Sequence, residues 1–332
     1  MPSLYTDRLP TLNAVPAISW LRWFALLGLV AACYWPGLYG GYVFDDDVNI
    51  IQNDHLRLES LGLKDLWAAA WSGHAGPLGR PVAMLSFALN HYFGGFDAFQ
   101  FKLVNLSIHL CTTVLVGSLA HVLFLSLQRR VASRTQTAQV ARWSGWMVAA
   151  LWGLHPLNLT GVLYVVQRMT SLSTLFGFGA LLAYACYRTR TAERSTLRRP
   201  LVLGFGVACV VLACLALSAL SKETGLLFGP LLLWIEFRVY RFQFNGEKIP
   251  LAGIPLDRIV LCILGLAFVY VAVFKLPYML APGAFANRDF TLLERGLTQT
   301  RVLFFYLRIF LLPSIGELSL YHDDFPISRA LL

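Results

Sequence analysis

The sequence predicts an all-α polytopic membrane protein, a helical bundle with further helices lying against its outer face. Three observations carry this expectation. Of 332 residues, 57% are hydrophobic and only 14% charged, against about 25% charged in soluble domains, and mean hydropathy is +0.61. Apolar runs long enough to cross, or nearly cross, a bilayer recur along the chain. Arginine clusters separate several of these runs, as they do where charge sets the orientation of a membrane protein.

In order, spans are expected at 18–39, 99–127, 143–157, 169–187, 201–220, 225–237 and 258–276. The third and sixth fall short of the roughly 20 residues of a full crossing. The run 302–312 is shorter still and reads as re-entrant or interfacial. No small-residue cleavage site follows the first run cleanly, so it reads as a span and not as a signal peptide.

Three connections are basic: Arg129, Arg130, Arg134 and Arg142; Arg188, Arg190, Arg194, Arg198 and Arg199; Arg238, Arg241, Lys248 and Arg258. Lys and Arg in short loops stay on the cytoplasmic side, which puts these loops and the N-terminus inside. The chain then divides into a cytoplasmic N-terminus with the first span (1–40) and an outer loop with an acidic motif and interfacial helices (41–98). A transmembrane bundle (99–276) and an outer or re-entrant segment (277–332) follow. The net charge of +9 is dispersed in these loops and forms no nucleic-acid patch. All six cysteines sit in apolar stretches without a CxxC pair, which reads as packing and not as metal or disulfide chemistry.

Every unusual polar cluster falls on the outer side. The first is Asp45-Asp46-Asp47, with Asn49, Asn53 and Asp54 following. Adjacent carboxylates beside a membrane repel one another, and one of them held near neutral pKa can act as a general base; the alternative is a solvated acidic cap on a helix end. Next come Arg80, Asn90, His91 and Asn105, after Trp67 and Trp71, whose rings favour the interface. Arg80 reads either as a ligand group or as a snorkelling interfacial residue. His155, Gln167 and Arg168 follow. Arg168 opens an apolar helix, where a cation is costly and its fork suits a phosphate, or an ion pair with an aspartate. Lys222 and Glu223 make a polar turn between spans; Arg301 and His322 close the series. There is no phosphate-binding loop of the GxxxxGK type and no GxGxxG, so nucleotide chemistry is not indicated.

The stretches FDDDVNIIQN, GRP with its helix to Asn90, HPLNLTGVLYVVQRMTSL, SKETG, and ERGLTQTRVLFFYLRIFLLP with LSLYHDDFP, in this order, resemble the GT-C superfamily of membrane glycosyltransferases. The nearest group is the bacterial relatives of the transmembrane and TPR-containing O-mannosyltransferases. The resemblance implies a GT-C-like bundle with juxtamembrane helices on the outer face. It implies a polyprenyl-phosphate-linked sugar as donor and a protein or glycan hydroxyl as acceptor, with transfer on the periplasmic side of a bacterial inner membrane. It places the catalytic carboxylate at Asp45 or Asp46, and the donor phosphate at Arg168 and Lys222 with Arg80 and Arg301. Asn49, Asn53, His155, Gln167, Glu223 and His322 take supporting positions. No cofactor is expected; the alternative is a divalent metal at Asp45, Asp46 and Asp47. Such proteins continue with further spans and a TPR array, so a chain ending at Leu332 is expected to be a fragment or a truncated relative.

The competing reading is a transporter, or a non-catalytic membrane scaffold, that binds lipid-phosphate headgroups. A transporter places ionisable residues near the midplane and often carries inverted repeats; this sequence has no internal repeat, and its charges fall at the ends of apolar runs. The expected topology is checked by cysteine labelling of intact cells with an impermeant reagent. Position 54 should label and position 194 should not; the opposite pattern overturns the orientation.

Overall fold

The computed structural model describes residues 17–128, 134–193, 200–244, 247–248, 250–251, 254–279, 281, 289–318 and 325–329. The protein is all-α. Helix α1 (Ala17–Tyr34) runs on through a 3-10 turn, Trp35–Tyr39, and the segment between it and the bundle contributes α2 (Leu63–Ala70) and α3 (Pro81–Gly94). The bundle is built from α4 (Ala98–Gln128), α5 (Arg134–Gly153), the short α6 (Leu159–Leu163), α7 (Arg168–Glu193), α8 (Pro200–Ser221) and α9 (Phe228–Ile235). Then come α10 (Leu256–Tyr270), the single turn α11 (Leu276–Met279) and α12 (Leu292–Leu311). Two antiparallel pairings of two residues each, Gln243–Phe244 with Glu247–Lys248 and Pro250–Leu251 with Ile254–Pro255, are the strands among the described residues.

Four segments are long and apolar enough to cross a membrane: Trp20–Tyr39, Ala98–Gln128, Val165–Thr191 and Gly204–Ser221. They coincide with four of the expected spans. The expected spans at 143–157, 225–237 and 258–276 do not reach that standard among the described residues. Helix α5 starts nine residues before the expected span, at Arg134, and ends at Gly153, so its first turns are polar. Helix α12 is likewise longer than the expected 302–312. A capping box, in which Thr291 accepts from the Glu294 N–H and Glu294 from the Thr291 N–H, starts it nearly three turns before the apolar run begins. Residues 236–240 and 271–275 are π-helical turns that prolong α9 and α10.

Without water to drive association, membrane helices meet where small residues let backbones approach. On α5 such residues recur every fourth position: Ala141, Gly145, Ala149 and Gly153, all buried. A Cβ at Gly145 would lie 2.7 Å from the Gly117 carbonyl oxygen of α4, and one at Gly117 would lie 2.7 Å from the Ala149 Cβ. The polar face of α4 points into the bundle. Lys102, Asn105, His109, Thr112 and Thr113 recur at helical spacing and are all buried.

The segment between α1 and α4 is not a separate layer. Ile50, Leu56 and Leu58, with Ala83, Met84, Phe87 and Ala88 of α3, share one core with Phe101 and Ile108 of α4 and with Tyr164, Val165, Val166 and Met169. A second core at the opposite end joins Leu119, Leu181 and Ala185 to Ile235, Val239 and Tyr240. There Arg188 is buried in an ion pair with Glu236, at 2.8 Å.

Candidate functional site

The expected site residues converge on the segment 164–170, which enters α7 through a 3-10 turn at Val165–Gln167. In the loop after α1, Phe44 takes a left-handed backbone, φ 46°, and the aspartates that follow start a helical turn, which points consecutive side chains in different directions. Asp46 is fully buried. One carboxylate oxygen accepts the Val166 N–H at 2.6 Å and the other the Val43 N–H at 3.0 Å. Asp45 is exposed, and its backbone N–H donates to the Tyr164 hydroxyl at 3.1 Å. Asp47 is also exposed and accepts from Gln52 at 2.5 Å.

Burial pushes the Asp46 carboxyl above the usual carboxylate range; the N–H groups of Val43, Val166 and Val165 and the nearby Lys102 ammonium pull it back without cancelling that effect. Burial also raises the Tyr164 hydroxyl. The Asp45 N–H opposes this, and the carboxylates of Asp45 and Asp46 add to it.

Arg168 has no exposed surface. Its Nε donates to Asn105 Oδ1 at 2.7 Å and its Nη1 to the Ser86 carbonyl at 3.2 Å. Its Nη2 donates to Asn90 Oδ1 at 2.7 Å and the Phe101 carbonyl at 2.8 Å. The guanidinium lies 4.8 Å from the Phe87 ring centre and 5.1 Å from that of Phe101. These four acceptors are neutral amide oxygens on α3 and α4, and no aspartate is among them.

The cations that stand nearer the surface are Arg80 and Lys222. The loop before α3 turns sharply, with positive φ at Gly76, Gly79 and Arg80. Arg80 there directs Nε and Nη2 to Glu223 Oε2, each at 3.1 Å, and Nη1 to Met169 Sδ at 3.2 Å. Lys222, at the end of α8, donates to Thr170 Oγ1 at 2.7 Å, and Thr170 donates to Gln167 Oε1 at 2.7 Å. Burial and the neighbouring Arg80 lower the Lys222 pKa, while Glu223 resists this. Burial would raise the Glu223 carboxyl, but its own backbone N–H and Arg80 outweigh that and hold it low. Two cations against one carboxylate leave a positive excess at a half-buried site, which suits an anion.

Asn49 and Asn53 serve the local fold. Asn49 donates to the Asp45 carbonyl at 2.9 Å; Asn53 caps a 3-10 turn through His55 and donates to Ser72. His155 and Arg301 lie on the α12 side. The Leu157 N–H donates to His155 Nδ1 at 3.2 Å, so Nε2 carries the proton and donates to the Phe310 carbonyl at 2.9 Å. Arg301 donates to the Pro326 carbonyl and to Ser328 Oγ. His322 lies outside the described residues.

Lys102 escaped the sequence reading, although a lysine one turn inside an apolar run is the signal that should find it. It is buried and donates to the carbonyls of Gly40 and Gly41 at 2.8 and 2.9 Å, which fixes the root of the acidic arm. Both Asp46 carboxylate oxygens accept backbone N–H groups, and among the described residues no three His, Cys, Asp or Glu side chains group together.

These features define an integral, multi-pass membrane protein in which Asp45, Asp46, Arg80, Lys222 and Glu223 are grouped around the segment 164–170. By sequence, the chain is similar to protein O-mannosyl-transferases. It is 28% identical to TMTC3 of Mus musculus, over 60% of this chain and 20% of that protein. It is 31% identical to TMTC4 of Homo sapiens, over 48% of this chain and 22% of that protein. It is 30% identical to tmtc2 of Xenopus laevis, over 60% and 22%. The resemblance read from the motifs is thereby borne out, and the aligned part spans about a fifth of the length of these curated relatives. No family model and no solved structure matches.

The buried Asp46 gives a pH test. Its pKa in the folded protein is raised, so the stability it contributes is fully present below the ordinary carboxylate pKa and is lost as pH rises through the raised value. Asp46→Asn removes the titration and sets an amide N–H against one of the two backbone donors. The stability advantage of wild type over this variant, measured by thermal unfolding in detergent, should shrink as pH rises across that window. An advantage that grows with pH contradicts the assignment.

Proposed function

We propose that this chain carries the donor-binding part of a glycosyltransferase. It transfers a sugar from a polyprenyl-phosphate-linked donor to a hydroxyl acceptor, on the face of the membrane opposite the arginine-rich loops. The observation that carries this reading is the half-buried pair Arg80 and Lys222. One carboxylate, Glu223, partly offsets the pair, which is held on the same segment, 164–170, as the exposed Asp45. The names of the similar proteins support mannose as the sugar and a protein as the acceptor.

In this reading the Asp45 carboxylate takes the proton of the acceptor hydroxyl as that oxygen attacks the anomeric carbon. The bond from the anomeric carbon to the phosphate oxygen breaks, and the lipid phosphate leaves with the electron pair. Lys222 and Arg80 stabilise the charge that develops there. A single displacement inverts the anomeric centre. The donor is already activated, so no nucleotide takes part. Asp46 and Arg168 are positioning residues: their own hydrogen bonds are spent inside the protein, and they act through the backbone they hold. In this reading Asp45 is the base and Arg168 does not itself touch the phosphate.

Transfer to an acceptor peptide from polyprenyl-phosphate mannose checks the assignment on the membrane-embedded protein. Asp45→Asn should lower the transfer rate by about 10²–10⁴-fold with donor affinity kept. Lys222→Met should weaken the donor about ten- to a hundredfold, the cost of one charge-assisted hydrogen bond. Wild-type behaviour of both variants would sink the proposal.

A further inference from the structure

At the end of the bundle away from Asp46 and Lys222 lies a cavity of about 700 Å³ between α1, α4, α5 and α7, within the range of small-ligand sites. Its walls are mainly apolar and aromatic, with Trp23, Leu27, Val114, Val122, Trp146 and Leu182 among them. The close approach of α4 and α5 at Gly117 and Gly145 forms part of the wall. Trp23 packs there so tightly that a Cβ on Gly117 would lie 2.7 Å from its ring.

The charged side chains of the lining are of one sign. Arg22 and Arg142 belong to it, both exposed, and among the described residues no Asp or Glu does. The Arg22 guanidinium stands 4.2 Å from the Trp143 ring centre, which holds it at the cavity without neutralising it. His121, also in the lining, has its Nδ1 buried without a hydrogen-bond partner. The site therefore offers an apolar volume, two cations at its edge and one unsatisfied ring nitrogen. Trp20–Tyr39 and Ala98–Gln128, which supply much of the wall, are both candidate spans, so the surroundings are lipid.

We infer that this cavity binds one anionic glycerophospholipid from the leaflet at that end. An acyl chain fills the apolar volume and the phosphate meets Arg22 and Arg142. Basic pockets between membrane helices hold anionic headgroups by this combination. The inference rests on the cavity alone and is independent of the activity proposed at the opposite end.

The test uses the whole purified chain in detergent, titrated with phosphatidylglycerol or phosphatidylcholine and read by native mass spectrometry. Two membrane-facing cations favour an anionic headgroup by a factor of about five each, so a first phosphatidylglycerol should bind about thirtyfold more tightly than phosphatidylcholine. In Arg22→Gln/Arg142→Gln the preference should vanish. A second arm needs no variant: phosphatidylglycerol with a photoreactive acyl chain should label peptides spanning 20–27 and 114–122 of the wild-type chain. Equal affinity for the two lipids, or labelling confined to other helices, would overturn the inference. Competition by a polyprenyl phosphate at equal concentration would also overturn it, because the adduct would then be the donor's lipid and not a diacyl one.

Discussion

The structure depends on one buried charge. A guanidinium taken out of water costs several kcal/mol unless its hydrogens find acceptors, and Arg168 finds four: Asn105, the Ser86 and Phe101 carbonyls, and Asn90. Two rings, Phe87 and Phe101, lie beside it. These partners come from α3 and α4, so a single side chain at the start of α7 fixes three elements against one another. It also explains why α3, drawn from the segment between α1 and α4, lies in the main core. The Ser86 and Asn90 oxygens must reach the guanidinium, and the apolar face of α3 is carried inward with them.

From that anchor the segment 164–170 serves both halves of the site. Tyr164 and Val166 meet Asp45 and Asp46; Gln167, Met169 and Thr170 reach the Arg80–Lys222 cluster. Acidic and basic groups are thereby built on one short length of backbone. They meet through hydrogen bonds to that backbone and to its hydroxyl, amide and sulfur atoms, and not by pairing with each other. The exception is Glu223, which takes part of the charge of Arg80 and leaves Lys222 to a neutral partner.

Much of this was legible in the residues. Runs of apolar side chains marked α1, α4, α7 and α8, because the bilayer demands length and apolarity that composition records directly. The charged clusters were visible as interruptions of those runs. What composition does not record is the direction of a side chain. Asp45 and Asp46 are neighbours of one type, yet the helical turn that they start exposes one and buries the other. Arg168 reads as a ligand by its place at a helix start, while the Asn90 and Asn105 oxygens that it meets lie far away in sequence and are not legible from that place. Lys102 is hidden by the apolar run around it, although its spacing with Asn105 and His109 marks an inward polar face. The early starts of α5 and α12 were hidden by polar first turns, which carry no apolar periodicity to read.

The account stands or falls on whether Arg168 holds the framework or the ligand. Purified wild type and Arg168→Gln can be compared for thermal stability, and for binding of a polyprenyl phosphate by the fraction that stays folded. Loss of the guanidinium leaves buried oxygens without donors, so stability should fall by about 3 kcal/mol while the folded fraction keeps its affinity. Unchanged stability together with lost affinity would contradict the account and place the arginine on the phosphate.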